Sequence, residues 1–315
     1  MKLKKQTTLA RPTGIKGKLA MIAKNYDLYL MLIPGLVYLI IFKYLPMYGI
    51  SIAFQDFNLF KGISGSEWIG FENFRKLMRY KDFYNILRNT LLISVFKIVI
   101  TFPLPIVAAL LLNEMRNMIF KRTLQTIIYI PHFLSWVVIA GIFTSILSPS
   151  SGLLNIVLAK FGIQPISFMM SPKWFRPVLV FTSAWKETGY SAVIYIATIA
   201  GIDQAQYEAA EIDGAGRFRQ MLHITLPGIS STIVLLLTLK LGNILNAGTE
   251  QILMMYNPTV YNVGDVIGTY VYRMGIGQQQ YGTTTAVGLF NGVVGFILVV
   301  SGNFISRRLT GKSIW

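Results

Sequence analysis

The residues of this chain that could do chemistry are few and oddly placed. Lys97, Lys186, Glu187 and Lys240 fall inside long apolar runs, with polar partners recurring at helical spacing. Ser94, Lys97 and Thr101 share one face. Ser183, Lys186, Glu187 and Tyr190 gather in one sector beside Trp185, and Lys240, Asn243, Asn246 and Glu250 follow at intervals of three and four. An ionisable group within an apolar span is costly and by default marks a pathway or an interior partner. The stripes therefore suit reversible binding in a water-filled cavity. In the plainer alternative, Lys186 pairs with a carboxylate such as Glu187 or Glu250, and Lys97 or Lys240 reaches a carbonyl or a partner subunit. For bond making the set is poor. There is no cysteine, His132 and His223 are far apart, and no paired carboxylates stand out, so no metal site, catalytic residue or cofactor is expected in this chain.

A second stretch raises a different question. "YEAAEIDGAGRFRQMLHITLPGI", residues 207–229, is polar and helical in character, yet it sits between two apolar runs. Asp203 is a suitable N-cap, and Glu208 and Glu211 fall on one face. Ala209 and Ala210 keep the helix thin, Gly214 permits a turn that most residues resist, and Pro227 limits a second helix bearing Phe218, Met221 and Leu222. Three readings are open: a plain surface loop, a helix lying on lipid, or a docking site for a protein partner. Glu208, Glu211 and Asp213 outnumber Arg217 and Arg219, which weakens the lipid reading, since anionic lipid favours clustered Lys and Arg.

The elements that must position these groups are set by composition. Of 315 residues 53% are hydrophobic and only 13% charged, about half the roughly 25% usual in soluble domains. Six segments can cross a hydrocarbon core, which takes about 20 apolar residues as helix: 28–54, 90–112, 126–147, 178–202, 230–249 and 284–305. They are long and show no period-two alternation, so helices rather than barrel strands are expected. The first run is longer than a signal-peptide core and no cleavage site follows, so it is expected to be a retained helix. The net charge of +16 lies largely in flanks, with seven basic residues before the first run. That distribution fits membrane orientation rather than nucleic acid. With the N-terminus cytoplasmic, inner segments hold fifteen Lys and Arg against ten outside. Both termini and the 207–229 stretch are then cytoplasmic.

The spacing of Glu208-Ala209-Ala210, Gly214, Ile224 and Leu226-Pro227 resembles the EAA loop of ATP-binding-cassette importer permeases. "PMYGISIAFQDF", "GFENF", "LRNTL", "YIPHFLSW", "NPTVYNVGDVIGTYVYRMG" and "TTTAVGLF", in this order along the chain, are also similar to MalF-type carbohydrate importers, especially the LplB/YteP-like subfamily of oligosaccharide and polysaccharide permeases. The resemblance implies an all-α polytopic membrane protein with the six core helices of the type I (MetI-like) fold. It implies a basic cytoplasmic segment over 1–27, a permease domain over 28–306 with its coupling loop at 203–228, and a cytoplasmic tail over 307–315, in a bacterial cell membrane. It also implies a second homologous permease, a cytoplasmic ATPase dimer that binds MgATP, an extracellular sugar-binding protein and an oligosaccharide or polysaccharide substrate. By position, Glu208, Ala209, Ala210, Asp213, Gly214, Phe218 and Pro227 would form the ATPase contact. Lys97, Trp185, Lys186, Glu187, Tyr190, Lys240, Asn243 and Asn246 would line the sugar pathway, with the rings stacking on pyranose faces and the lysines suiting an acidic sugar. Gly311-Lys312-Ser313 is not a phosphate-binding loop, because Ser306 stands where its first glycine belongs.

Two rivals make different demands. A secondary sugar transporter driven by an ion gradient would show repeats and broken helices around a midplane carboxylate, for which Glu187 is the candidate. A membrane-embedded enzyme would need a convergent catalytic constellation.

Overall fold

A computed structural model describes residues 25–310. The basic residues before position 25, and Lys312, lie outside them. Among the described residues the architecture is helical, with one small antiparallel strand pair.

Helix α1 (Tyr26–Phe54) is apolar along its length, and among the described residues it buries only Ala53. Its turns widen over Ile40–Tyr44, where the Leu45 amide bonds the Ile40 carbonyl, and then tighten over Leu45–Phe54. Pro46 explains the change, since a proline ring clashes with the carbonyl four residues earlier and lacks the N–H. Strands β1 (Gln55–Asp56) and β2 (Glu67–Trp68) pair antiparallel, with Gln55 opposite Trp68. The short helix α2 (Glu72–Arg79) follows.

Helix α3 (Phe83–Glu114) is 32 residues long and runs on through Pro103 and Pro105. The expected span 126–147 is two helices, α4 (Met118–Phe133) and α5 (Trp136–Ile146), bent by 104°. Pro131 lies in a tight turn, Leu134 and Ser135 are extended, and the Ser135 side chain caps α5 at the Val138 amide. After α6 (Leu153–Lys160), helix α7 (Pro172–Ala200) has 29 residues, about 43 Å at 1.5 Å each, and packs along both α3 and α4.

The loop stretch forms α8 (Gln204–Ile212) and α9 (Arg217–Gly228), the latter leading at a 56° bend into α10 (Ser230–Gly242). The expected span 230–249 does not run through. The chain leaves the helix at Asn243, makes a tight turn over Ile244–Asn246, passes Ala247 and Gly248 in the left-handed region, and restarts as α11 (Thr249–Met255). A helical turn α12 (Ile267–Val271) precedes α13 (Tyr281–Thr310), which packs on α10 and on the end of α1. Among the described residues, three helices are long and apolar enough to cross a membrane, or five if each bent pair counts as one span. Helix α7 has the length but carries Lys173, Arg176, Lys186 and Glu187.

Candidate functional site

The break after α10 is where the polar stripes meet. A cavity of 210 Å³ is lined by Lys97 and Thr101 of α3, Glu187 of α7, and Lys240, Asn243 and Asn246 at the broken segment. Lys240 Nζ stands 3.7 Å from Glu187 Oε2 and donates to Thr101 Oγ1 at 3.0 Å. Ser183 donates to Glu187 Oε1 at 3.2 Å. Asn243 and Asn246 also line a neighbouring cavity of 530 Å³, with Asn291 of α13 on its wall. Backbone that leaves the helix within a membrane must be buried or face a wet cavity; here Leu245 and Ala247 are buried, and Asn246 and Gly248 line the polar cavity.

The freed carbonyls have specific donors. Lys97 is buried and donates to the Ala247 carbonyl at 2.7 Å and to Gln251 Oε1 at 2.5 Å, while Ser94 bonds the Ile244 carbonyl. Gln251 continues the network to the Leu179 carbonyl at 2.8 Å and Thr182 Oγ1 at 2.6 Å. The α4–α5 break is held the same way. Lys186 donates to the His132 carbonyl at 2.8 Å and to the Leu134 carbonyl, with its ammonium 5.4 Å from the Trp136 ring. Lys186 is thus committed to carbonyls, rather than to the carboxylate that the plainer of the two sequence alternatives gave it. Each buried carbonyl without a donor would cost several kcal/mol in hydrocarbon.

The cavity does not gather every residue expected of it. Tyr190 stacks flat on His132 at 3.8 Å. Trp185 sits edge-on to Phe143 at 5.5 Å and lines an apolar groove of 760 Å³ between α3, α4 and α7. With Lys97 and Lys186 on carbonyls and Lys240 beside Glu187, all three lysines already have partners within the chain.

On the loop, Asp203 caps α8 by accepting the Ala205 amide at 3.0 Å. Gly214 ends it at φ +74°. Its amide bonds the Glu211 carbonyl at 3.0 Å, and the Ala215 amide bonds Ala210 at 2.8 Å, the pattern that closes a helix on a left-handed glycine. Tyr207 and Thr225 hydroxyls meet at 2.9 Å and lock α8 to α9, and Arg217 reaches back to Glu114 at the end of α3. Glu208, Ala209, Asp213 and Pro227 are exposed and Ala210 is half-buried. Ile212 and Phe218 are 87% and 70% exposed, unusual for bulky apolar groups on a polar loop.

Residues 101–311 match the family model of the binding-protein-dependent transport system inner membrane component. The chain belongs to this family. Two proteins of Bacillus subtilis (strain 168) are each 46% identical to it. One is Protein LplB, over 297 residues that cover 94% of this chain and 93% of the relative. The other is the polygalacturonan/rhamnogalacturonan transport system permease protein YteP, over 288 residues that cover 91% and 90%. A crystal structure of a bacterial ABC transporter involved in import of the acidic polysaccharide alginate contains a chain that superposes with a TM-score of 0.86 at 40% identity, over 93% of this chain and 99% of that one. The chain is therefore a transport permease and not an enzyme, and the hydrolysis that drives such systems belongs to a separate subunit.

The permease also holds functional groups that the stripes did not reveal. Gln251 is fully buried, whereas Glu250, the residue in register with Lys240 and Asn246, is exposed. The register assumed an unbroken helix, and the break re-aims everything after Asn243. Outside the spans, Asp265 is buried and accepts Arg273 in a two-pronged pair at 2.7 and 3.1 Å. That hydrogen-bonded carboxylate raises the Arg273 guanidinium above its ordinary value. No sequence spacing marks the pair.

Proposed function

We propose that this permease, with a second related permease, forms the alternating-access route for an oligosaccharide or polysaccharide. An external sugar-binding protein would deliver the glycan, and a cytoplasmic ATPase dimer loaded with MgATP would drive its passage. Both termini and the 203–228 loop are cytoplasmic in this reading, which divides the chain at 27 and 306 as the sequence suggested. The reading is carried by the cavity at the broken helix, where amides and one ion pair converge on a segment of freed backbone. Groups of that kind can exchange hydrogen bonds with sugar hydroxyls as the two sides of the cavity part. The names of similar transporters, for polygalacturonan/rhamnogalacturonan and for alginate, support a glycan cargo. Because the three lysines are engaged within the chain, a preference for acidic glycans would not come from free cations in this cavity.

At the other end, Glu208, Ala209, Ala210, Asp213, Gly214, Phe218 and Pro227 would seat in the ATPase, and the exposed Ile212 and Phe218 favour a protein groove over water. The test is purification from native membranes in mild detergent, with co-purifying chains identified by mass spectrometry and uptake assayed with vanadate. Recovery of a second permease and an ATPase, lost on Glu208 and Gly214 substitution, is the expected result. Recovery of the chain alone, with uptake driven by an ion gradient, would install the secondary-transporter reading instead.

A further inference from the structure

The lysines of the spans are not equally committed. Lys97 is buried, with the Ala247 carbonyl and Gln251 Oε1 as acceptors at 2.7 and 2.5 Å, and Lys186 holds two carbonyls. Lys240 differs. Among the described residues its one hydrogen bond goes to Thr101 Oγ1 at 3.0 Å. Glu187, at 3.7 Å, lies beyond the range of about 2.7–3.2 Å for such bonds. An ammonium carries three N–H groups, so Lys240 has donors to spare. Both side chains of the pair can be reached, being 33% and 38% exposed. A pair this long and this exposed contributes little by itself, so a better-placed carboxylate can take the position of Glu187.

The pair stands where two cavities meet. The 210 Å³ cavity extends from it past Ser94 and Ser183, and a second, of 340 Å³, extends past Pro105, Ser191 and Leu236 toward the coupling loop. Thr101, Glu187, Lys240 and Asn243 line both. On α3, α7 and α10 alike, the second cavity takes the residues nearer the loop, so a guest moving between the two passes the pair. The lining of the first cavity sets two cations, Lys97 and Lys240, against one carboxylate, Glu187. An anionic guest balances that lining, and a neutral one does not. Exchange strands neither partner. Ser183 still donates to Glu187 Oε1 at 3.2 Å, and Thr101 still accepts from Lys240. Asn243 Nδ2 donates to the Leu239 carbonyl at 3.1 Å, which leaves its Oδ1 for a hydroxyl.

We propose that Lys240 is the carboxylate-binding residue of the sugar pathway, and that Glu187 holds its place while no acidic sugar is bound. A uronate carboxylate accepts a charge-assisted hydrogen bond from Lys240 Nζ, Asn243 accepts one from a neighbouring hydroxyl, and Glu187 stays on Ser183. Selection of an acidic glycan then comes from exchange of partners and not from a free cation. When the guest leaves, Glu187 closes on Lys240 again. The proposal rests on the glycan reading above and adds the charge of the cargo to it.

The test uses the assembled importer in lipid nanodiscs without its binding protein, and trisaccharides of galacturonan and of alginate, each as free acid and as methyl ester. Saturation-transfer NMR titrations give a dissociation constant for each form. The free acid should bind about three- to tenfold tighter than its ester, the worth of one charge-assisted bond. Lys240→Met should remove that difference by weakening the acid alone. Glu187→Gln should tighten the acid by a further factor of about three and leave the ester unchanged, because Lys240 then has no resident carboxylate. A gain in affinity cannot arise from poor insertion, so this variant decides the matter if Lys240→Met fails to reach the membrane. Equal affinity for acid and ester in the unaltered importer overturns the proposal while the glycan reading stands. So does a Lys240→Met variant that weakens both forms alike, which would make Lys240 structural, or a Glu187→Gln variant that binds the acid no tighter. If no form of either sugar binds or stimulates ATP hydrolysis, the glycan reading itself falls and takes this assignment with it.

Discussion

Lys97 and Lys186 do related work at different breaks. Each ammonium gathers carbonyls released where a span leaves the helix, Ala247 for the first and His132 with Leu134 for the second. Lys97→Met should strand the Ala247 carbonyl and Gln251 Oε1, at a cost of about 1–3 kcal/mol for each unpaired group. A lowered melting temperature of the detergent-solubilised permease is the expected signature, and unchanged melting would remove the clamp role. Glu187 and Lys240 are a separate case, half-buried beside the cavity at 3.7 Å. Lys240→Met and Glu187→Gln should each lower uptake severalfold without loss of insertion. The double variant should do no worse than the poorer single one, because residues sharing one interaction are not additive. Strictly multiplicative losses would mean that the two act independently.

The elements owe their shape to a handful of positions. Gly214 closes α8 with a left-handed backbone, and a β-branched side chain there costs about 1–3 kcal/mol of strain. Gly214→Val should therefore abolish uptake while the permease still inserts, as judged by membrane fractionation beside an uptake assay. Gly189 of α7 lies against the Ile128 backbone carbonyl so closely that any Cβ would force α4 and α7 apart. Gly189→Ala should lower thermal stability more than the same change at Gly141, which has open space around it. Equal effects at the two sites would show that α4 and α7 separate freely.

As a whole molecule, the chain leaves large apolar surfaces uncovered. Helix α1 shows nearly all its side chains, and Ile212 and Phe218 stand out from the loop. Lipid and partner subunits are the natural covers for the first, and a protein groove for the second. Phe218→Ser should reduce the ATPase recovered with the permease by at least several-fold, while circular dichroism stays unchanged. Full recovery would place the coupling contact elsewhere on the loop.

Much of this was open to the sequence by itself. Low charge with long apolar runs requires the membrane, because backbone in lipid must satisfy itself within helices. The loop was legible because Asp203, Gly214 and Pro227 act locally, through a cap, a left-handed turn and a missing N–H. The stripes were legible in part: Lys97, Glu187, Lys240, Asn243 and Asn246 do share one cavity. Periodicity could not show that the third and fifth spans break, since a prolonged apolar run reads alike whether straight or bent by 104°. Only the packing of α3 and α7 against those breaks decided which polar groups face the cavity and which hold the backbone. Lys97, Lys186 and Gln251 are assigned by carbonyls more than forty residues away in the chain, a relation that local spacing does not encode.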